Sequence, residues 1–128
     1  MRLLDAVEAW DETTIRCRTA THRDPDHPLR YRGRLSVSVG LEYAAQAMGV
    51  HAGLLDRDRQ MEGRIGYVGS VRDVVFGADR LDGTDSDLMV EATCLAEGDQ
   101  SYMYRFRVAL GDRTVIEGRA SIFLKAVA

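Results

Sequence analysis

Glu42-Tyr43-Ala44-Ala45-Gln46-Ala47-Met48-Gly49-Val50-His51-Ala52-Gly53-Leu54-Leu55 lies in the one stretch of the chain that reads as a long helix. The helix is expected from about Ser38 to Leu55. Ser36 or Ser38 would cap it, because a short hydroxyl can accept from the free N–H groups of a first turn. Arg57 and Arg59 follow its end, where cations suit the dipole. The segment is apolar nearly all round, which predicts a buried helix. Its Ala and Gly residues leave room for another element to come close.

Everything around this helix reads as strand. Leu3 to Trp10 is strand-like, and Asp11-Glu12 reads as a turn. From Thr14 to Thr21 the residues alternate, with Ile15, Cys17, Thr19 and Thr21 on one side and Arg16 and Arg18 on the other. Period-two alternation marks a half-buried strand. Strands are also expected at Arg64 to Phe76, Asp87 to Glu97, Ser101 to Leu110 and Arg113 to Lys125, with turns at Asp82-Gly83 and Gly111-Asp112. Two strands, a buried helix and four more strands fit best as one antiparallel sheet wrapped around a single helix. This is the α+β layout of the hot-dog fold, expected here as one domain over residues 1–128. The two sheet edges would need cover, which dimerisation supplies.

The composition limits function. With 17 basic and 20 acidic residues the net charge is −3, without the basic excess of a nucleic-acid binder. No apolar run reaches the ~18 residues of a membrane helix. Asp5 and Glu8 interrupt any signal-peptide core, so the expected location is the cytoplasm. Cys17 and Cys94 have no redox or metal spacing and read as reduced core residues. The histidines and cysteines have no metal-ligand spacing, and no metal or cofactor is expected.

Glu42 is the most informative candidate, a carboxylate in the first turns of an apolar helix. It reads equally as a working acid or as a simple complement to the helix dipole. His22 and His27 lie in a charged loop, His22 to Arg34, which holds both prolines of the chain. A histidine can serve as base near neutral pH. His22, at the end of the second strand, has the firmer support; His27 is the alternative. His51 reads as a hydrogen-bonded core or interface residue. Gln46, four residues after Glu42, can share a hydrogen bond with it or with the sheet. Arg30, Arg32 and Arg34 form a basic patch that serves solubility or docks an acidic partner or a phosphate.

Three stretches carry a family resemblance. Val39-Gly40-Leu41-Glu42-Tyr43-Ala44-Ala45-Gln46-Ala47 resembles the central-helix motif of hot-dog-fold 3-hydroxyacyl-acyl-carrier-protein dehydratases. Met1-Arg2-Leu3-Leu4-Asp5-Ala6-Val7 resembles their first strand. His27-Pro28-Leu29-Arg30-Tyr31-Arg32-Gly33-Arg34-Leu35 is similar to a loop of dehydratase-like proteins from aryl-polyene and related pigment clusters. Relatives carry a short segment before the first strand, so the chain is expected to start late.

The resemblance implies loss of water from a 3-hydroxyacyl thioester held on acyl carrier protein, in fatty-acid-like or polyene and polyketide biosynthesis. It implies a histidine base and Glu42 assisting the departing hydroxyl. N–H groups near Val37 and Ser38 would hold the thioester carbonyl, with Gly40 allowing close approach. The common dehydratase pattern places its histidine 14 residues before the acid; Pro28 stands there, and His27 is one position away. The site would lie at a dimer interface, with histidine and acid from different subunits of a homodimer or an oligomer of dimers. Tyr43, Gln46, Met48 and Tyr67 are expected along the acyl path. Two other readings share the fold: a thioesterase that uses the helix carboxylate without the loop histidine, and a non-catalytic acyl-binding partner of a dehydratase.

Overall fold

The computed structural model describes residues 2–61 and 63–126. Met1 of the opening motif lies outside them. Strands β1 (Ala6–Trp10) and β2 (Thr14–Thr19) open the chain. After 3-10 turns at Thr21–Arg23 and Val37–Val39 comes the helix α1 (Gly40–Asp58). Strands β3 (Arg64–Phe76), β4 (Leu88–Glu97), β5 (Ser101–Leu110) and β6 (Arg113–Ala126) complete it. The six form one antiparallel sheet in the order β1-β2-β4-β5-β6-β3. The helix packs against β2 to β6, which is the hot-dog arrangement.

The alternation in the sequence sets the sheet's inner face. Ile15 and Cys17 of β2, Val90 and Ala92 of β4, Tyr104 and Phe106 of β5, and Ile116 and Ile122 of β6 are all buried. Cys17 and Cys94 are free and buried, as expected. From the helix, Tyr43, Ala44, Ala47, Met48, Ala52 and Leu55 meet this layer.

Three elements differ from the sequence reading: β2 ends at Thr19 rather than Thr21, which opens the 3-10 turn that carries His22. The first strand starts at Ala6, because the Leu3 N–H leaves the sheet to donate to Gln46 Oε1 at 2.8 Å. Leu3 and Leu4 still fill the core. The helix is also not buried all round: Glu42, Gly49, Val50 and Gly53 form an exposed stripe. Small apolar residues read alike on either face, so composition could not reveal it. Neither serine caps α1: its N-cap is Val39, which offers no side-chain bond, and Ser36 instead caps the 3-10 turn just before it, accepting from the Ser38 N–H at 3.3 Å.

Gly40 packs tightly against β6. A Cβ there would run into Cδ1 of Ile116, itself fully buried. Gly40→Ala should therefore destabilise the fold by about 1–3 kcal/mol, the usual cost of overpacking. Chemical denaturation of the variant checks this; an unchanged midpoint would show that Ile116 simply rotates away.

The two sheet edges are unlike. β1 is five residues long and its register shifts between Val7 and Ala9. β3 is 13 residues long and exposes Ile65, Tyr67, Val68, Val71, Val75 and Phe76.

Candidate functional site

Glu42 stands in the first turn of α1, where the positive helix end favours a carboxylate. It is exposed and makes no hydrogen bond or ion pair among the described residues. Beside it lies an open hollow of about 460 Å³, lined by Leu3, Pro28, Leu29, Glu42 and Gln46. Among the described residues, Glu42 is the one ionisable group in that lining. Gln46 is held by the Leu3 N–H, which fixes the amide one helical turn below the carboxylate. Pro28 and Leu29 come from the long loop, so that loop forms one wall.

The histidines occupy three different settings. The His22 ring is fully buried; Nε2 meets the Ser86 carbonyl at 2.8 Å and must donate to it, leaving Nδ1 without a partner among the described residues. His51 is also fully buried, between the Tyr104 hydroxyl at Nδ1 and the Asp11 carbonyl at Nε2, both at 2.8 Å. It is a hydrogen-bonded core histidine, as expected. His27, 3% exposed, precedes the Pro28-Leu29 wall. The Leu29 N–H donates to its Nδ1 at 3.1 Å, so neutral His27 carries its proton on Nε2. That proton points to the Tyr43 hydroxyl oxygen at 3.1 Å. Tyr43 then donates to Thr21 Oγ1 at 2.7 Å, and Thr21 to the Leu3 carbonyl at 2.6 Å. The chain of donors has one direction, and both ring nitrogens of His27 are occupied within it.

Burial lowers the pKa of all three histidines, with desolvation the largest cause in each. The unfolded chain, with histidines near 6.5, takes up protons that the folded chain refuses. Stability should be flat above pH 7 and fall as the pH drops below about 6.5. Each histidine contributes at most about 1.4 kcal/mol per pH unit, so the slope reaches roughly 4 kcal/mol per unit if all three stay neutral. Urea midpoints at pH 7.5, 6.5 and 5.5 test this; equal values would contradict neutral burial.

The other expected site residues are dispersed. The Val37 N–H donates to the Asp79 carbonyl at 3.0 Å, and the Ser38 N–H is taken by Ser36. The Gly40 N–H bonds back to the carbonyls of Val37 and Ser38. The expected carbonyl-holding donors are thus already engaged within the chain. Tyr43 and Met48 are sealed in the core rather than set along a groove, because their helix face is the one turned to the sheet. Tyr67 lies on the exposed edge strand, outside the lining of the Glu42 hollow.

Arg30 corrects the basic patch. It is not a free docking group: Nη1 meets Asp82 Oδ2 at 2.6 Å, Nε the Asp24 carbonyl at 2.7 Å and Nη2 the His22 carbonyl at 3.1 Å. Arg80 holds the other side of Asp82, at 2.6 and 2.9 Å. This clamp fixes the loop that walls the hollow. Asp82-Gly83 had signalled only a turn, and nothing local marks a partner 52 residues from Arg30.

The fold with its helix carboxylate places the chain among the hot-dog proteins, which include dehydratases and thioesterases. The profile of the ApeP-like family, described as ApeP dehydratase, matches residues 1–127, and the chain belongs to that family. Among solved structures it is similar to the dehydratase heterocomplex ApeI:P from Xenorhabdus doucetiae. That match has a TM-score of 0.86 and 20% identity, over 97% of this chain and 83% of that one. It is also similar to a thioesterase from Haemophilus influenzae, with a TM-score of 0.68 and 14% identity, over 94% and 77%. A conserved protein from Pseudomonas aeruginosa matches with a TM-score of 0.67 and 20% identity, over 95% and 88%. No curated protein matches the chain by sequence.

Proposed function

We propose that the protein takes part in eliminating water from 3-hydroxyacyl thioesters carried on acyl carrier protein, giving trans-2-enoyl thioesters. The observation that carries this reading is Glu42, a lone carboxylate beside the hollow of Leu3, Pro28, Leu29 and Gln46. Elimination needs a base for the α-proton and an acid for the β-hydroxyl. Glu42 gives its proton to the departing hydroxyl, which leaves as water. A histidine takes the α-proton, and the electron pair freed at that carbon forms the double bond.

His27 fits the histidine's place better than His22, because its loop borders the hollow while His22 is wholly enclosed. His27 can accept a proton at Nδ1 only once the Leu29 N–H has moved off it. That occupied lone pair supports a second reading. The chain then supplies Glu42 and the hollow, and a different dehydratase subunit supplies the histidine. The heterocomplex found for the Xenorhabdus protein adds weight to it.

Mass spectrometry of 3-hydroxyacyl-carrier substrates, incubated with the protein and with its Glu42→Gln and His27→Ala variants, separates the readings. Loss of turnover in both variants supports a self-sufficient dehydratase. Loss in the first alone, with the protein active only beside a partner, supports the shared site. Release of free acid in place of enoyl product would transfer the reading to a thioesterase.

A further inference from the structure

The loop that walls the hollow continues into a tight hairpin, Tyr31-Arg32-Gly33-Arg34. The N–H of Tyr31 donates to the Arg34 carbonyl at 2.9 Å and the N–H of Arg34 to the Tyr31 carbonyl at 3.2 Å. Its two central residues are left-handed, Arg32 at φ 52° and Gly33 at φ 77°. This is the two-residue turn that asks for glycine or asparagine at both positions. An arginine at the first costs roughly 1–2 kcal/mol of backbone strain. Local folding recovers only a contact of the guanidinium with the Tyr31 ring, about 0.5–1 kcal/mol at an exposed site.

The side chains on this hairpin face outward. Tyr31 is 71% exposed, the most exposed of the large hydrophobic residues, and the Arg32 guanidinium stacks 5.3 Å above its ring. Arg32 and Arg34 are exposed and form no ion pair among the described residues. From His27 to Leu41 the sequence holds no Asp or Glu, although the chain as a whole is acidic. Arg30, the third cation of the segment, is consumed by Asp82. A rigid knob of one tyrosine and two unpaired arginines has the composition of a protein-binding hot spot. Its charge fits an acidic surface. Tyr31 is two residues from Leu29 of the hollow, at most about 7 Å of chain.

We propose that Tyr31, Arg32 and Arg34 form the docking surface for an acidic protein partner, which on the reading above is the carrier that presents the thioester at the Glu42 hollow. The partner's carboxylates meet the two guanidinium groups, and the Tyr31 ring is covered by the contact.

The test is titration of the full chain with acyl carrier protein lacking its phosphopantetheine arm, which measures docking without chemistry. Tyr31→Ala and the double variant Arg32→Glu, Arg34→Glu should each weaken binding by roughly 10-fold or more. Arg32→Gly relieves the turn while removing the cation, so it should bind more weakly yet melt no lower than the parent chain. On activity, the charge-reversed variant should raise KM for carrier-bound substrate and leave turnover of the same acyl group on pantetheine unchanged. Equal carrier binding by the parent and the reversed variant would overturn the docking surface. Equal weakening toward coenzyme A thioesters would also overturn it, since the cations would then serve a phosphate. Failure of the parent chain to turn over any thioester, by itself and beside a dehydratase partner subunit, would defeat the dehydratase reading alone, because the titration stands apart from catalysis.

Discussion

On the proposed function, Glu42→Gln should lower turnover of a 3-hydroxyacyl thioester by about 100- to 10,000-fold, the range that a positioned acid or base contributes. Glutamine keeps the length and polarity of the side chain but cannot give up a proton at the moment the carbon–oxygen bond breaks. The loss falls on kcat more than on KM, because the group works in the transition state. Stability should stay within about 0.5 kcal/mol, since the exposed carboxylate has no partner among the described residues to lose. Rate and melting temperature are measured on the same preparation. A variant with the parent rate would show that Glu42 only complements the helix dipole.

Asp82→Ala has the largest expected effect on stability. The carboxylate is 8% exposed and holds Arg30, itself 14% exposed in its side chain, together with Arg80. Removing it leaves a largely buried guanidinium without a counter-charge, which costs about 3–5 kcal/mol. Its hydrogen bond with Arg80, then that with Arg30, holds the Asp82 carboxyl well below the usual carboxylate range. The clamp therefore contributes fully above the unfolded pKa of about 3.9 and fades only as the pH drops toward the much lower folded value. Arg30 also carries the carbonyls of His22 and Asp24, so the wall of the hollow should loosen with it. Urea unfolding at pH 7 gives the stability change, and KM for the thioester reports the wall. A loss under 1 kcal/mol would mean that water replaces the carboxylate at no great cost, and that the clamp does not hold the loop.

The sheet and its helix were legible because alternation in the sequence is a direct record of which side chains face the core. Cys17, Val90, Tyr104 and Ile122 make the inner layer, while Arg16, Glu91, Met103 and Phe123 beside them are turned out. The place of Glu42 in the first turn of the helix was legible as well, since a carboxylate in an apolar helix stands out by contrast. The histidines were not. The end of the second strand favoured His22 over His27 in sequence, and only the folded chain shows the first enclosed against the Ser86 carbonyl and the second in the Tyr43 chain. Long-range partners also stayed hidden. The Arg30–Asp82 pair and the Leu3–Gln46 bond join segments 52 and 43 residues apart, and neither end carries a local sign of the other.

The long exposed strand β3 bears on how the chain must be produced. Its 13 residues carry no proline, and six large apolar side chains stand open along it. An uncovered edge of that kind is a template on which further chains can add as strands. Soluble yield then becomes a matter of supply. A ribosome releasing this chain into a compartment short of whatever covers β3 feeds inclusion bodies, while matched synthesis of both feeds assembly. Co-expression at varied ratios, followed by simple centrifugation, would read that dependence as the soluble fraction of the chain.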